Sequence, residues 1–381
     1  MSAMSIRGRV VTPDGVVEGG VVRIEGGRIA AVERAGAAPA DVDLGAGWIV
    51  PGFVDVHVHG GGGHDFMDAT AEAFEAIAAF HGRHGTTSLL ATTVTASKDA
   101  IDGVLRTAAQ YIADAPPRGA RLLGVHLEGP FISPQWPGAQ NPSHIVPPNA
   151  DWLRDWTSVF PGLVKQLTLA PETDGAIELI RELRRLGIIA AAGHTDATYD
   201  QIVRAADNGL NQAVHTFNAM TPLRHREPGT AGAVLADERI AAEVIADGVH
   251  VHPAVVKLLT RAKSDNNLLL ITDAMSAAGL GDGRFSLGGL DVTVEGGVAR
   301  LTEGGNLAGS TLTMIDAFRF VIRHANLTVP EASRLASANA ARQLRLEGEI
   351  GAIRPGAAAD LVLLTPELDL AAVYRDGAPI A

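Results

Sequence analysis

The run Pro51-Gly52-Phe53-Val54-Asp55-Val56-His57-Val58-His59-Gly60 ends an apolar stretch in two histidines one residue apart. Side chains alternate across a strand, so His57 and His59 share a face. Two imidazoles presented together at the end of a buried strand suit one divalent cation. The glycines that follow, Gly60 to Gly63, leave the space above them open. An HxH pair is also common by chance, so the reading depends on partners further along the chain.

Such partners stand where other apolar runs stop: Glu128, His194, His215 and Asp273 each meet Gly, Thr or Ala. Neutral imidazoles leave a cation enough positive charge to acidify a water, and a carboxylate can bridge two cations. A further carboxylate can take the water's proton and deliver it to a leaving nitrogen or oxygen. That chemistry needs no serine or cysteine nucleophile; the chain has no GxSxG and no cysteine. His81 and His84, by contrast, fall in a helical pattern and read as surface residues or helix-end charges. His64, His126, His144, His225, His252 and His324 lack any ligand spacing.

Strand-like runs that must position these groups cover 52–59, 88–93, 122–128, 167–171, 188–194, 212–215, 241–245 and 268–273. Helical patterns lie between them at 71–84, 98–113, 174–186, 199–208 and 253–263. Strands alternating with helices in this way predict a (β/α)8 TIM-like barrel, whose strand ends converge on one catalytic mouth. A doubly wound sheet is the alternative, but no GxGxxG links a strand to a helix. Short β-rich runs with Gly-Gly or Asp-Gly turns mark both chain ends and predict a small β-sandwich domain. The expected division is 1–50 plus 347–381 for that domain and 51–346 for the catalytic barrel.

Hydrophobic residues make up 46% of the 381 and aromatics only 4%, so aliphatic side chains and alanine must fill the core. The net charge is −12 and no Lys/Arg-rich run occurs, which argues against nucleic acid or an anionic membrane as partner. The first ten residues have no apolar leader pattern, and the expected location is cytoplasmic.

The segment Pro51 to Gly60 resembles the first strand of the amidohydrolase superfamily. His126-Leu127-Glu128-Gly129-Pro130-Phe131, Gly193-His194-Thr195 and the string from His215 through Asn218 to Pro222 resemble one branch, the N-acetylglucosamine-6-phosphate deacetylase family. Ala246-Asp247-Gly248-Val249-His250, Thr272-Asp273-Ala274 and Leu307-Ala308-Gly309-Ser310 extend the likeness, in order, along nearly the whole chain. The resemblance implies a hydrolase that removes acetate from N-acetyl-D-glucosamine 6-phosphate, in amino-sugar catabolism or cell-wall recycling. It makes Glu128, His194 and His215 the main metal site. His57 and His59 would hold a second ion bridged by Glu128, and Asp273 would be both ligand and general base, then acid. Zinc is the expected ion, with iron, manganese and cobalt as alternatives.

The same resemblance assigns the phosphate to Asn218 and the backbone of Ala219, with Arg226 reaching it from the neighbouring subunit of a homodimer. It gives the sugar hydroxyls to His250 and places Leu307 beside the substrate. At Gln140 some relatives carry a histidine that contacts the substrate's carbonyl side; an amide there could still bind a substrate oxygen. The rival readings are a cyclic-amide hydrolase or deaminase on the same fold, and a scaffold that has lost catalysis.

Overall fold

The computed structural model describes residues 3–34, 40–114, 118–264 and 266–380. Its centre is an eight-stranded parallel sheet whose strands are numbered along the chain. They are β1 (Phe53–Val58), β2 (Thr86–Thr93), β3 (Arg121–Glu128) and β4 (Val164–Leu169). β5 (Ile189–Ala192), β6 (Gln212–Ala213), β7 (Ala241–Ile245) and β8 (Leu268–Ile271) complete the set. Each strand pairs with the next in sequence. The ring closes where Asp273 N donates to His57 O (2.8 Å) and Thr272 Oγ1 donates to Asp55 Oδ2 (2.6 Å). Every residue of β1 and β2 is buried, which is why these strands read as nearly unbroken apolar runs rather than alternating ones.

Helices surround the barrel, among them α1 (Ala71–Gly82), α2 (Lys98–Asp114), α3 (Ala150–Val159) and α4 (Ala176–Leu186). α5 (Tyr199–Asn208), α6 (Gly229–Ala236), α7 (Pro253–Ala262) and α8 (Met314–Ala325) follow, one after each later strand. Side-chain caps set the start of several: Thr70 accepts from Ala73 N, and Thr198 and Gln201 form a reciprocal capping box. Leu179, Ile180 and Leu183 of α4 and Ile202 of α5 are buried in the main core together with the outward faces of the strands.

Both chain ends contribute to one seven-stranded sheet, in which Val42–Pro51 lies between Leu361–Leu364 and Met4–Thr12. This sheet has its own apolar cluster, including Ile6, Val10, Ile24, Ile49, Leu361 and Leu363. Only Gly52 separates it from β1, and a Cβ there would collide with the side chain of Thr87. Arg121 at the start of β3 ties the two bodies together, donating to Asp360 Oδ2 and Asp376 Oδ1, both at 2.8 Å.

One element is absent from the sequence expectations: an antiparallel three-stranded sheet, Gly283–Leu287, Leu290–Glu295 and Val298–Leu301, inserted between β8 and α8. Its turns are the pairs Gly288-Gly289 and Gly296-Gly297, all with positive φ. Those pairs are hairpin signals, and they are legible in retrospect. Among the described residues no helix is long and apolar enough to cross a membrane.

Candidate metal centre

Glu128, the last residue of β3, is the hub. Its Oε1 lies 3.3 Å from His57 Nε2, 3.3 Å from His194 Nε2 and 3.0 Å from His215 Nε2. Its Oε2 lies 3.3 Å from His59 Nε2. Asp273 Oδ1 joins from the end of β8, 3.1 Å from His59 Nε2 and 3.5 Å from His57 Nε2. All six side chains are buried. The sequence expectation ran the strands through His194, His215 and Asp273, but β5, β6 and β8 each stop two residues earlier. The three residues adopt left-handed backbone, with φ of 49°, 30° and 50°. Such a turn swings the side chain off the strand's alternating track and over the barrel mouth, at about 1–3 kcal/mol each.

The hydrogen bonds fix every tautomer. Nδ1 of His59, His194 and His215 donates to the carbonyls of Thr92 (3.2 Å), Trp136 (3.0 Å) and Asn218 (3.2 Å). Nδ1 of His57 instead donates to the carboxylate of Glu243, 2.8 Å away. With one proton held on Nδ1, Nε2 is the ring nitrogen left to bind a cation in place of a proton. The Nε2 of His57 is buried and has no hydrogen-bond partner, although two carboxylates face it.

These residues therefore fit a divalent ion, and they fall into overlapping ligand sets. One is Glu128, His194 and His215; a second is His57, His59 and Glu128; a third is His57, His215 and Asp273. The electrostatics agree. Burial works against the charged imidazoles, yet Glu128 and Asp273 outweigh it and hold His57 well above its usual range and His59 at about 10. Burial likewise works against the carboxylates, but His57 and its neighbours keep Glu128 well below its usual range and Asp273 at about 2. Carboxylates that hold imidazole protons so firmly will accept a cation in exchange for them.

The centre opens into a cavity of about 350 Å3. Gln140, Asn218, Ala219, His250 and Leu307 line it, as does Trp136. His250 is oriented by Asp247, whose Oδ2 accepts from its Nδ1 at 2.7 Å. Gln140 is engaged at both ends: Nε2 donates to Glu128 Oε2 (2.5 Å), and Oε1 accepts from Thr95 N (2.6 Å). Arg226 is exposed and lines a neighbouring cleft rather than the cavity.

The structure also revises two readings of the sequence. His81 is not a surface residue: it is fully buried, and its Nε2 donates to Gly60 O at 2.9 Å. Glu243, Gln166 and Gln212 escaped notice altogether, although they form a buried polar layer beneath the ligands. The signal for Glu243 was available: a charged residue in the middle of the strand Ala241–Ile245.

The amidohydrolase family profile matches residues 48–380. The chain is 40% identical to an N-acetylglucosamine-6-phosphate deacetylase of Bacillus subtilis (strain 168), over 95% of this chain and 92% of that protein. It is 39% identical to an N-acetylgalactosamine-6-phosphate deacetylase of Escherichia coli O157:H7, over 97% of both. Among solved structures it superposes on the D-to-A mutant N-acetyl-D-glucosamine-6-phosphate deacetylase of Mycobacterium smegmatis in complex with N-acetyl-D-glucosamine 6-phosphate. The TM-score is 0.96 at 39% identity, and both chains are covered in full.

Proposed function

Because the chain belongs to the amidohydrolase family and, within it, to the N-acetylglucosamine-6-phosphate deacetylases, we propose that it hydrolyses N-acetyl-D-glucosamine 6-phosphate to D-glucosamine 6-phosphate and acetate. The observation that carries this reading is the convergence of four imidazole Nε2 atoms and two carboxylates on one centre that opens into a cavity, in a chain of that family.

Glu128, His194 and His215 would hold one divalent ion, and His57, His59 and Glu128 a second, with Asp273 beside both; zinc suits this nitrogen and oxygen set, as do iron, manganese and cobalt. When bound, such ions supply Lewis acidity, which polarises a carbonyl oxygen and makes a water more acidic. Asp273 is then the proton carrier. Its Oδ1 lies at the mouth beside His57 and His59, where a carboxylate can take a proton from the attacking water. Water oxygen and acetyl carbon form the new bond. As the C–N bond breaks, Asp273 returns that proton to the nitrogen, so the products are acetate and the free amine. Gln140 serves Glu128 in this scheme: with both amide ends engaged, it steadies the shared carboxylate.

The sugar end is bound further out. Asn218 and the backbone of Ala219 face the phosphate, His250 the ring hydroxyls, and Leu307 closes the apolar side. Arg226 reaches the phosphate of a second subunit in a homodimer. Its exposure outside its own cavity supports that role, and a guanidinium can grip a phosphate through two parallel hydrogen bonds. On this reading the reaction is cytoplasmic, since a sugar phosphate is too highly charged to leave the compartment in which it is made.

The test compares kcat/KM for N-acetylglucosamine 6-phosphate, its galactosamine epimer and unphosphorylated N-acetylglucosamine, with metal content measured on the same sample. A clear preference for the first is expected. Equal rates with and without the phosphate would sink the substrate assignment, and a faster epimer would move it to the galactosamine branch.

A further inference from the structure

One of the four histidines differs from the rest in what holds its far nitrogen. His59, His194 and His215 donate from Nδ1 to backbone carbonyls. His57 donates to a carboxylate, Glu243 Oε2 at 2.8 Å, and both side chains are wholly buried. Glu243 projects into the barrel from the middle of β7, one layer below the cavity, and is not among its lining residues. Its other oxygen is held in place: Oε1 accepts from Gln166 Nε2 (2.8 Å) and Gln212 Nε2 (2.6 Å). Gln212 also donates to Gln166 Oε1 (2.8 Å), which locks the two amides against each other. His57, Gln166 and Gln212 are the polar groups that face this carboxylate.

We propose that Glu243 is a positioning residue that fixes the tautomer and raises the donor strength of His57, and thereby retains the ion held by His57 and His59. The inference rests on the two-ion hydrolase reading. A neutral carbonyl behind an imidazole fixes its orientation; a carboxylate does so and also pushes electron density toward the ligating nitrogen. Burial amplifies the difference, because little solvent screens the charge. His194 and His215 have only carbonyls behind them, so the ion they hold does not depend on Glu243. The two ions thus draw on different supports while sharing Glu128.

Glu243→Gln tests this. The substitution preserves size and can keep an oxygen toward His57 while removing the charge. The new amide nitrogen then takes the place of Oε1 and faces Gln166 Nε2 and Gln212 Nε2, so the amide of Gln212 must turn its unpartnered Oε1 toward it. Metal content per subunit is read after dialysis against graded chelator, with circular dichroism as the check on folding and His57→Asn as the reference for loss of the same ion. The wild type is expected to hold two ions. Glu243→Gln should hold one as firmly as the wild type and the other about 10–100-fold more weakly, matching the ion lost in His57→Asn. Two ions retained at wild-type affinity would overturn the role of Glu243 and leave the hydrolase reading standing.

A second measurement needs no stable variant at Glu243. The ring N–H of His57 should give a slowly exchanging, strongly downfield proton resonance in the wild type that His57→Asn lacks. Its absence overturns the proposal whether or not metal is bound. A wild type that takes up no metal but shows the resonance would instead remove the hydrolase reading.

Discussion

At the residue scale the centre divides into groups that meet the cavity and groups that hold them there. Asp273 is buried, faces both His57 and His59, and is the carboxylate assigned to carry the proton. Asp273→Asn keeps the shape and loses the base, so kcat should fall by about 10²–10⁴-fold, the usual worth of a positioned acid–base group. Metal analysis of the same protein should remain near wild type, since the histidines and Glu128 are untouched; undiminished turnover would remove Asp273 from the mechanism. Gln140→Leu leaves two buried polar groups, Thr95 N and Glu128 Oε2, without their present partner. A loss of about 2–6 kcal/mol in urea unfolding is expected, at roughly 1–3 per stranded group. Ligand types were legible in the chain because a histidine or carboxylate at the end of an apolar run is costly to bury unless it is bound there. The engagement of Gln140 was not, because its two partners lie 45 and 12 positions away in sequence.

Elements decide where those side chains aim. Strand-end residues His194, His215 and Asp273 reach the mouth only through left-handed backbone, which no hydrophobic period announces. The turn after β1 has a different support: α1 brings His81 beneath it, donating to Gly60 O next to His59. Burial holds His81 at about 4, against 6.5 when free. Between those values the unfolded chain binds a proton that the folded one refuses, so stability present above about pH 6.5 is lost as the pH falls toward 4. The full effect is on the order of 3 kcal/mol, from about 1.36 kcal/mol per unit. His81→Asn should flatten that part of the profile in urea unfolding between pH 7 and pH 4.5. Identical slopes for variant and wild type would show that His81 does not titrate as its burial implies. The inserted three-stranded sheet supplies Leu287 to the cavity wall, and the segment just after it supplies Leu307.

On the scale of the whole molecule, the terminal sheet and the barrel are joined through charge as well as packing. Asp360 has only 2% of its side chain exposed, and Arg121 is its ion-pair partner. Burial opposes the charge on Arg121, but Asp360 and Asp376 more than compensate and raise its pKa. Arg121→Ala would strand a buried carboxylate, at a cost of about 3–5 kcal/mol in global unfolding. Chemistry at the barrel mouth should survive in protein that remains folded, because Arg121 stands at the opposite end of β3 from Glu128. A wild-type unfolding midpoint would show the pair to be dispensable. The proposed dimer is tested by mixing Arg226→Ala with Asp273→Asn subunits, each expected to be nearly inactive alone. If Arg226 acts across the interface, mixed dimers contain one site with both residues intact and regain activity; no recovery despite proven subunit exchange would place the arginine in its own site.

The alternation of strand and helix, the β-rich ends and the identities of the six polar residues at the strand ends are all written in the linear chain. Those are local properties: burial on both faces writes an apolar run, and a ligand writes a polar residue at its end. HxH was the most visible of these signals but could not say how many ions or which partners. That His57 and His59 share Glu128 with His194 and His215 was implied by the family resemblance but not by spacing; only the fold brings the four rings around one carboxylate. Only the fold supplies the carboxylate that backs His57 alone, which comes from β7, two strands away round the closed ring and 186 positions along the chain. The physical reason is the closure of the sheet. A ring of strands brings side chains together by their height along the barrel, and that height depends on register and on the turn each chain takes as it leaves its strand.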